Sequence, residues 1–424
     1  MSAWKHVFTV AAFSAATVAA SNMPANLPVI TLPDIVQTTS YDVNTECTYY
    51  TLPGLTITPT EWPTIWATAT TNGMNTSAEF TALYNSINWA NAPNISVRTE
   101  VNGALSFTGY DASTDPDCWW SSSTCTTPKL AGVNADIFQC NEPETWGLTY
   151  DDGPNCSHNA FYDFLQQQSL TASMFYIGSN VLDWPAGAMR GLRDGHHISA
   201  HTWSHQLMTT LTNQEVLAEL YYTQKALKTV IGVTPKYWRP PFGDIDDRVR
   251  WIATQLNLTA IIWNLDTNDW AAGDGETVAQ VQAAYQDFIT MGTNGTFATS
   301  GNIVLTHEIN NTTMSFALEY IPQIKQAYKN VLDIATCANL SQPYSDSNIT
   351  YLAFGASNTT ASASASAGAS GMSTVSGGSV AVSTAGAAVA SGSSNVIQNA
   401  AAMFEPKTAL MTAVALMVIG LFSQ

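Results

Sequence analysis

Apolar and polar positions in the middle of this chain change period several times. Trp146–Tyr150, Ala172–Ile177, Thr259–Trp263 and Asn302–Thr306 are short apolar runs of strand length. Between them lie segments with helical spacing. Ala160–Gln168 reads as a helix. Asn213–Val230 is amphipathic, with Thr212 placed to cap its start and Gly232 just beyond its end. Strand–helix alternation from about Glu142 to Leu340 predicts an α/β fold on a parallel sheet, either open or closed into a barrel.

The flanks read differently. From Ser21 to about Gln139 the chain is rich in Thr, Asn, Trp and Pro, with few periodic runs. We take residues 21–141 as an irregular N-terminal extension. Sugar stacking is one use for its Trp62, Trp66, Trp89, Trp119 and Trp120, and packing is the favoured one. Residues 341–399 are expected to be a linker. Its Ser357–Ser394 stretch is nearly all Ser, Ala, Gly and Thr, which predicts a disordered, O-glycosylated stalk.

Both ends carry targeting patterns. Lys5 and His6 precede an apolar run, and Val18-Ala19-Ala20 offers a cleavage site, so residues 1–20 read as a secretory signal. A second apolar run, Thr408–Phe422, follows a polar spacer and small residues. That is the layout of a glycosylphosphatidylinositol anchor signal over 400–424, with Asn399 as the attachment residue. A short tail-anchor helix is the alternative. The expected location is outside the cell, on the outer face of the plasma membrane or in the cell wall.

Composition adds two constraints. A formal charge of −18 argues against a nucleic-acid partner, because little basic surface is available to neutralise phosphates. Six cysteines suit an oxidising compartment, and their spacing is poor for a zinc finger. Many pairings are open. We expect a short Cys118–Cys125 loop and a Cys156–Cys337 link across the catalytic region. Sequons at Asn75, Asn94, Asn155, Asn257, Asn294, Asn311, Asn339, Asn348 and Asn358 agree with secretion, and Asn155 lies close to the chemistry described next.

Thr149-Tyr150-Asp151-Asp152-Gly153-Pro154 puts adjacent carboxylates at a turn, and His201-Thr202-Trp203-Ser204-His205 puts imidazoles at i and i+4. If that second segment is helical or tightly turned, both rings can face one point. One Asp and two His suit a divalent ion and leave a position open for water or substrate. The remaining carboxylate is placed to take a proton from that water. Arg239 precedes a stiff Pro240-Pro241 turn that ends in Phe242-Gly243. Asp266-Thr267-Asn268-Asp269-Trp270 follows an apolar run, and Leu305-Thr306-His307 ends another.

In this order the five segments resemble the polysaccharide deacetylase family of carbohydrate esterases, over about Glu142–Leu340. The resemblance implies a distorted (β/α) barrel that hydrolyses acetyl groups on sugar polymers. Asp152, His201 and His205 would then hold one divalent metal ion, zinc or cobalt. Asp151 would act as general base, Arg239 would hold it ionised, and the Phe242 backbone N–H would stabilise the oxyanion. His307 would protonate the leaving amine, with Asp269 orienting it. Trp270 and Leu305 would enclose the acetyl methyl group. The family often carries Tyr where Phe242 stands; the role given to this position needs only its main chain. His196 and His197 read as structural.

With its secretory signal, stalk and anchor signal the chain looks most like the cell-wall members of that family, and this resemblance implies chitin, or N-acetylglucosamine oligomers, as substrate and chitosan and acetate as products. The protein is expected to be a monomer at the cell-wall polysaccharide. Acetylated xylan, a peptidoglycan-like glycan, or a non-catalytic chitin-binding role are the alternatives.

Overall fold

The strand Thr145–Gly153 (β1) is buried along nearly its whole length, which is why it reads as a continuous apolar run rather than an alternating one. Seven more strands complete a parallel sheet with it: Ser173–Tyr176 (β2), His197–Ala200 (β3), Tyr237–Trp238 (β4), Thr259–Ala260 (β5), Leu265–Asp266 (β6), Asn302–Leu305 (β7) and Asn330–Leu332 (β8). This computed structural model describes residues 24–34 and 40–355. The signal segment, the Ser/Ala/Gly-rich stalk, Asn399 and the anchor signal lie outside the described residues.

The strand order is β5-β4-β3-β2-β1-β7-β6, with β8 also paired to β1. Its two edge strands, β5 and β6, are consecutive in the chain, so the sheet curls round into a distorted (β/α) barrel. Parallel neighbours need crossovers. The helices Asn159–Gln167, Asn213–Ile231 and Asn311–Ala327 supply three of them. The longest, Asn213–Ile231, starts at a reciprocal capping box between Thr212 and Glu215 and stops at Gly232, whose φ of 78° suits glycine.

The expected strand Thr259–Trp263 is shorter than its apolar run. Ile261 and Ile262 turn instead to Ile137 of the N-terminal extension, which donates to the Ala260 carbonyl and accepts from the Ile262 N–H. That extension winds over the barrel in short turns. Trp62 and Trp119 are buried in it, and Trp89 and Trp120 pack on Trp251 and Trp263. Only Trp66 of the five keeps a third of its surface open, at 37%.

Two expectations need correction. Cys118 pairs with Cys125 as expected, but Cys156 pairs with Cys47, and Cys337 pairs with Cys140. The β1–β8 register explains the exchange. It sets Asn330 against Thr145, so the chain after β8 returns beside the start of β1, where Cys140 lies, while Cys156 follows the far end of the strand. The linker also does not begin at 341. Tyr344, Ile349 and Tyr351 are buried, the Tyr344 hydroxyl accepts from the Ile198 N–H, and Thr350 bridges Ala25. Among the described residues no helix is long and apolar enough to cross a membrane.

Candidate active site

All five sequence motifs arrive at the C-terminal ends of strands, the rim where barrels of this type place their chemistry. At the end of β1 the register shifts between Asp151 and Gly153, and Asp152 takes a φ of 70°. That bulge turns two sequence-adjacent carboxylates in different directions. Asp151 is buried and receives Arg239 Nη1 at 2.7 Å. Arg239, itself fully buried, also donates to Thr149 Oγ1 at 2.9 Å and the Ile261 carbonyl at 3.2 Å, and it lies over the Phe175 ring.

Asp152 faces the histidines. Its Oδ1 is 3.3 Å from His201 Nε2 and 3.1 Å from His205 Nε2. The segment 201–205 is a turn rather than a helix, with Thr202 and His205 at φ of 63° and 56°. His201 Nδ1 lies 2.8 Å from the Arg239 carbonyl, so it donates there and leaves Nε2 as a lone-pair donor toward Asp152.

The residues present fit a divalent cation. One carboxylate and two imidazoles converge with their ligand atoms within 4.8 Å of one another, and buried Asp152 Oδ1 makes no hydrogen bond of its own. The other acid–cysteine cluster, Asp115 with Cys118 and Cys125, has both sulfurs committed to a disulfide.

A second pair closes the site from β6 and β7. His307 Nδ1 lies 2.6 Å from Asp269 Oδ1, and its backbone N–H donates to Asp269 Oδ2 at 2.9 Å. Burial pushes the imidazole pKa down, yet the charge and hydrogen bond of Asp269, helped by Asp152 and Asp151, raise it to about 9. The Asp151 N–H donates to the Thr306 carbonyl and the Glu308 N–H to the Asp151 carbonyl, so the two acid–base strands are fixed to each other.

Phe242 is 40% exposed, sits at φ 59° and meets the His205 ring edge-on at 4.7 Å. Its neighbour Gly243 has φ +68°, and a Cβ there would fall 2.2 Å from Trp120 of the extension, so only glycine fits this turn. Leu305 is buried at the end of β7 and Trp270 is half-buried beside Asp269. His196 and His197 lie at the opposite end of β3 from His201, buried and hydrogen-bonded to the Ala172 N–H and Ser173 Oγ. The Asn155 side-chain amide donates to the Ile309 carbonyl.

Sequence reasoning passed over two buried acids near the site. Glu308 lies against Gly153 and Tyr162, and burial drives its carboxyl well above the usual range. Glu219 meets the histidine turn. Its burial had a signal: an acid on the apolar stripe marked by Val216, Leu220 and Leu227.

Three comparisons bear on this geometry. The polysaccharide deacetylase family model matches residues 138–261. A chitin deacetylase of Amylomyces rouxii is 68% identical over 318 residues, covering 74% of this chain and 75% of that protein. Chitin deacetylase 2 of Cryptococcus neoformans var. grubii is 51% identical over 315 residues, covering 73% and 69%. Among solved structures, the chitin deacetylase of Colletotrichum lindemuthianum aligns at 25% identity and a TM-score of 0.46, over 51% of this chain and 97% of that one.

Proposed function

The chain belongs to the polysaccharide deacetylase family, and we propose that it hydrolyses the N-acetyl groups of chitin to give chitosan and acetate. The observation that carries the mechanism is the convergence of Asp151, Asp152, His201, His205, Arg239, Asp269 and His307 on one barrel rim. Asp152, His201 and His205 would hold a divalent ion, zinc or cobalt. When bound, that ion supplies Lewis acidity to the scissile carbonyl and to water.

Asp151 takes the proton from the attacking water, with Arg239 fixing the carboxylate that receives it. The Phe242 main-chain N–H faces the developing oxyanion. His307 delivers a proton to the leaving amine, without which an amide C–N bond does not break readily, and Asp269 keeps that proton on the ring. Trp270 and Leu305 enclose the acetyl methyl group, and Phe242 offers its exposed ring to the sugar.

Three disulfides support an oxidising compartment. We assign it to the cell exterior as a monomer, anchored by a glycosylphosphatidylinositol group at Asn399, with residues 1–20 and 400–424 removed.

Acetate release from chitin oligomers tests the reading. Release should stop on chelation and return with Zn²⁺ or Co²⁺. Asp151→Asn should lower kcat on the order of 10²–10⁴-fold while leaving ion binding intact, and Asp152→Ala should instead weaken the ion. Full activity in Asp151→Asn would remove it from the base role. Release from acetylated xylan but not from chitin would change the substrate and keep the mechanism.

A further inference from the structure

The turn that carries His201 and His205 is conformationally costly, since Thr202 and His205 both sit in the left-handed region. Such a turn persists only where its surroundings over-determine it. The Gly178 N–H holds the Thr202 carbonyl and Ser179 holds the Trp203 carbonyl, and the carboxylate of Glu219, reaching in from the helix Asn213–Ile231, takes the donors on the turn's other side. It is fully buried and accepts four hydrogen bonds. Its Oε2 takes the Trp203 N–H at 2.9 Å and the Ser204 N–H at 2.8 Å. Its Oε1 takes the Ser204 hydroxyl at 2.7 Å and the Ala69 N–H at 2.9 Å.

Three of those donors lie between the two histidines. The fourth belongs to the N-terminal extension, which grips the same turn twice more: Trp62 stacks on Trp203 with ring centroids 6.1 Å apart, and the Thr64 carbonyl accepts from Trp203 Nε1 at 3.2 Å. Glu219 touches neither a histidine nor the reacting atoms, so any influence it has on the site is through the backbone of the turn.

We propose that Glu219 is the positioning residue that sets the His201–His205 turn in ion-binding geometry and couples it to residues 62–69 of the N-terminal extension. The proposal rests on the ion-binding reading above and deepens it. Loss of one hydrogen-bond partner of a metal ligand weakens binding about 10–100-fold; Glu219 bonds the backbone between the two ligands rather than a ligand itself, so its loss belongs at the lower end, roughly tenfold. Glu219→Gln keeps the shape but turns an NH₂ group toward either the Ala69 N–H or the turn's N–H groups, so one set of donors is left facing a donor.

The test uses the purified, metal-stripped protein and titrates Zn²⁺ against a chromophoric chelator, then records the visible spectrum with Co²⁺. Glu219→Gln should raise the Zn²⁺ Kd roughly tenfold and alter the Co²⁺ band, as a purely structural role would not. Ser204→Ala removes only the hydroxyl donor and should shift Kd the same way by a smaller factor, which covers the case of a Glu219→Gln protein that does not fold. A folded variant of either kind with the parent's Zn²⁺ Kd and Co²⁺ spectrum overturns the proposal alone. A parent protein that takes up neither ion overturns the ion-binding reading and this proposal together.

Discussion

The Asp269–His307 pair sets how far into alkaline pH the proposed acid keeps its proton. Burial opposes the charged ring, and the Asp269 carboxylate reverses that, so the imidazole titrates near pH 9 rather than its ordinary 6.5. A pKa raised by folding contributes stability that is complete below about pH 6.5 and is lost as pH rises through about 9. The same proton is needed at the leaving amine, so kcat should fall along that alkaline limb. Asp269→Asn keeps an acceptor for Nδ1–H but removes the charge, which leaves burial to win. Its kcat–pH profile should therefore drop at a pH lower by about one unit or more. A profile that stays where it was would take His307 out of the acid role. Arg239 offers a second test at this scale. With both partners of the Arg239–Asp151 pair fully buried, Arg239→Ala leaves an uncompensated carboxylate and should lower stability by about 3–5 kcal/mol in denaturant unfolding.

Among the elements, those whose signal is local were legible in the chain. The helix Asn213–Ile231 is set by a capping box and a terminal glycine, and both could be read directly from Thr212, Glu215 and Gly232. Thr212→Ala should cost about 1 kcal/mol, seen as a lowered midpoint in thermal unfolding with the activity of the remaining folded protein unchanged. The four apolar runs all became strands, because a strand buried on both faces must be apolar throughout. The two-residue strands Tyr237–Trp238 and Leu265–Asp266 were not visible, since two residues carry no period. Those strands nevertheless deliver Arg239 and Asp269. The motifs at their ends were clearer in sequence than the strands themselves, because turn chemistry and catalytic side chains leave marks that a short buried ladder does not. Glu219 escaped for the opposite reason: a single acid in a long helix says where it lies but not which backbone it will meet.

At the scale of the whole molecule, the chain is closed by links whose partners depend on strand direction, which no local pattern records. A disulfide does tie the start of the catalytic region to its end, but through Cys140 beside Cys337, because the length of β1 carries Cys156 to the opposite rim. The loops closed differ greatly: 197 residues for Cys140–Cys337 against 7 for Cys118–Cys125. If disulfides act mainly by restricting the unfolded chain, the long link contributes about 5 kcal/mol and the short one about 2. Replacing both cysteines of each pair by alanine separates the cases. The Cys140/Cys337 variant should unfold at clearly lower denaturant than the Cys118/Cys125 variant, with both keeping the Zn²⁺ affinity of the parent, since neither bond touches the ligand turn. The Cys47–Cys156 link is the informative third member. It joins the extension to the segment just after Asp152, close to the ion-binding residues, so its removal is the one that should weaken Zn²⁺ as well as stability. Equal Zn²⁺ affinity across all three variants would show that the extension holds the site through Glu219 and the Trp62–Trp203 stack rather than through its covalent tie.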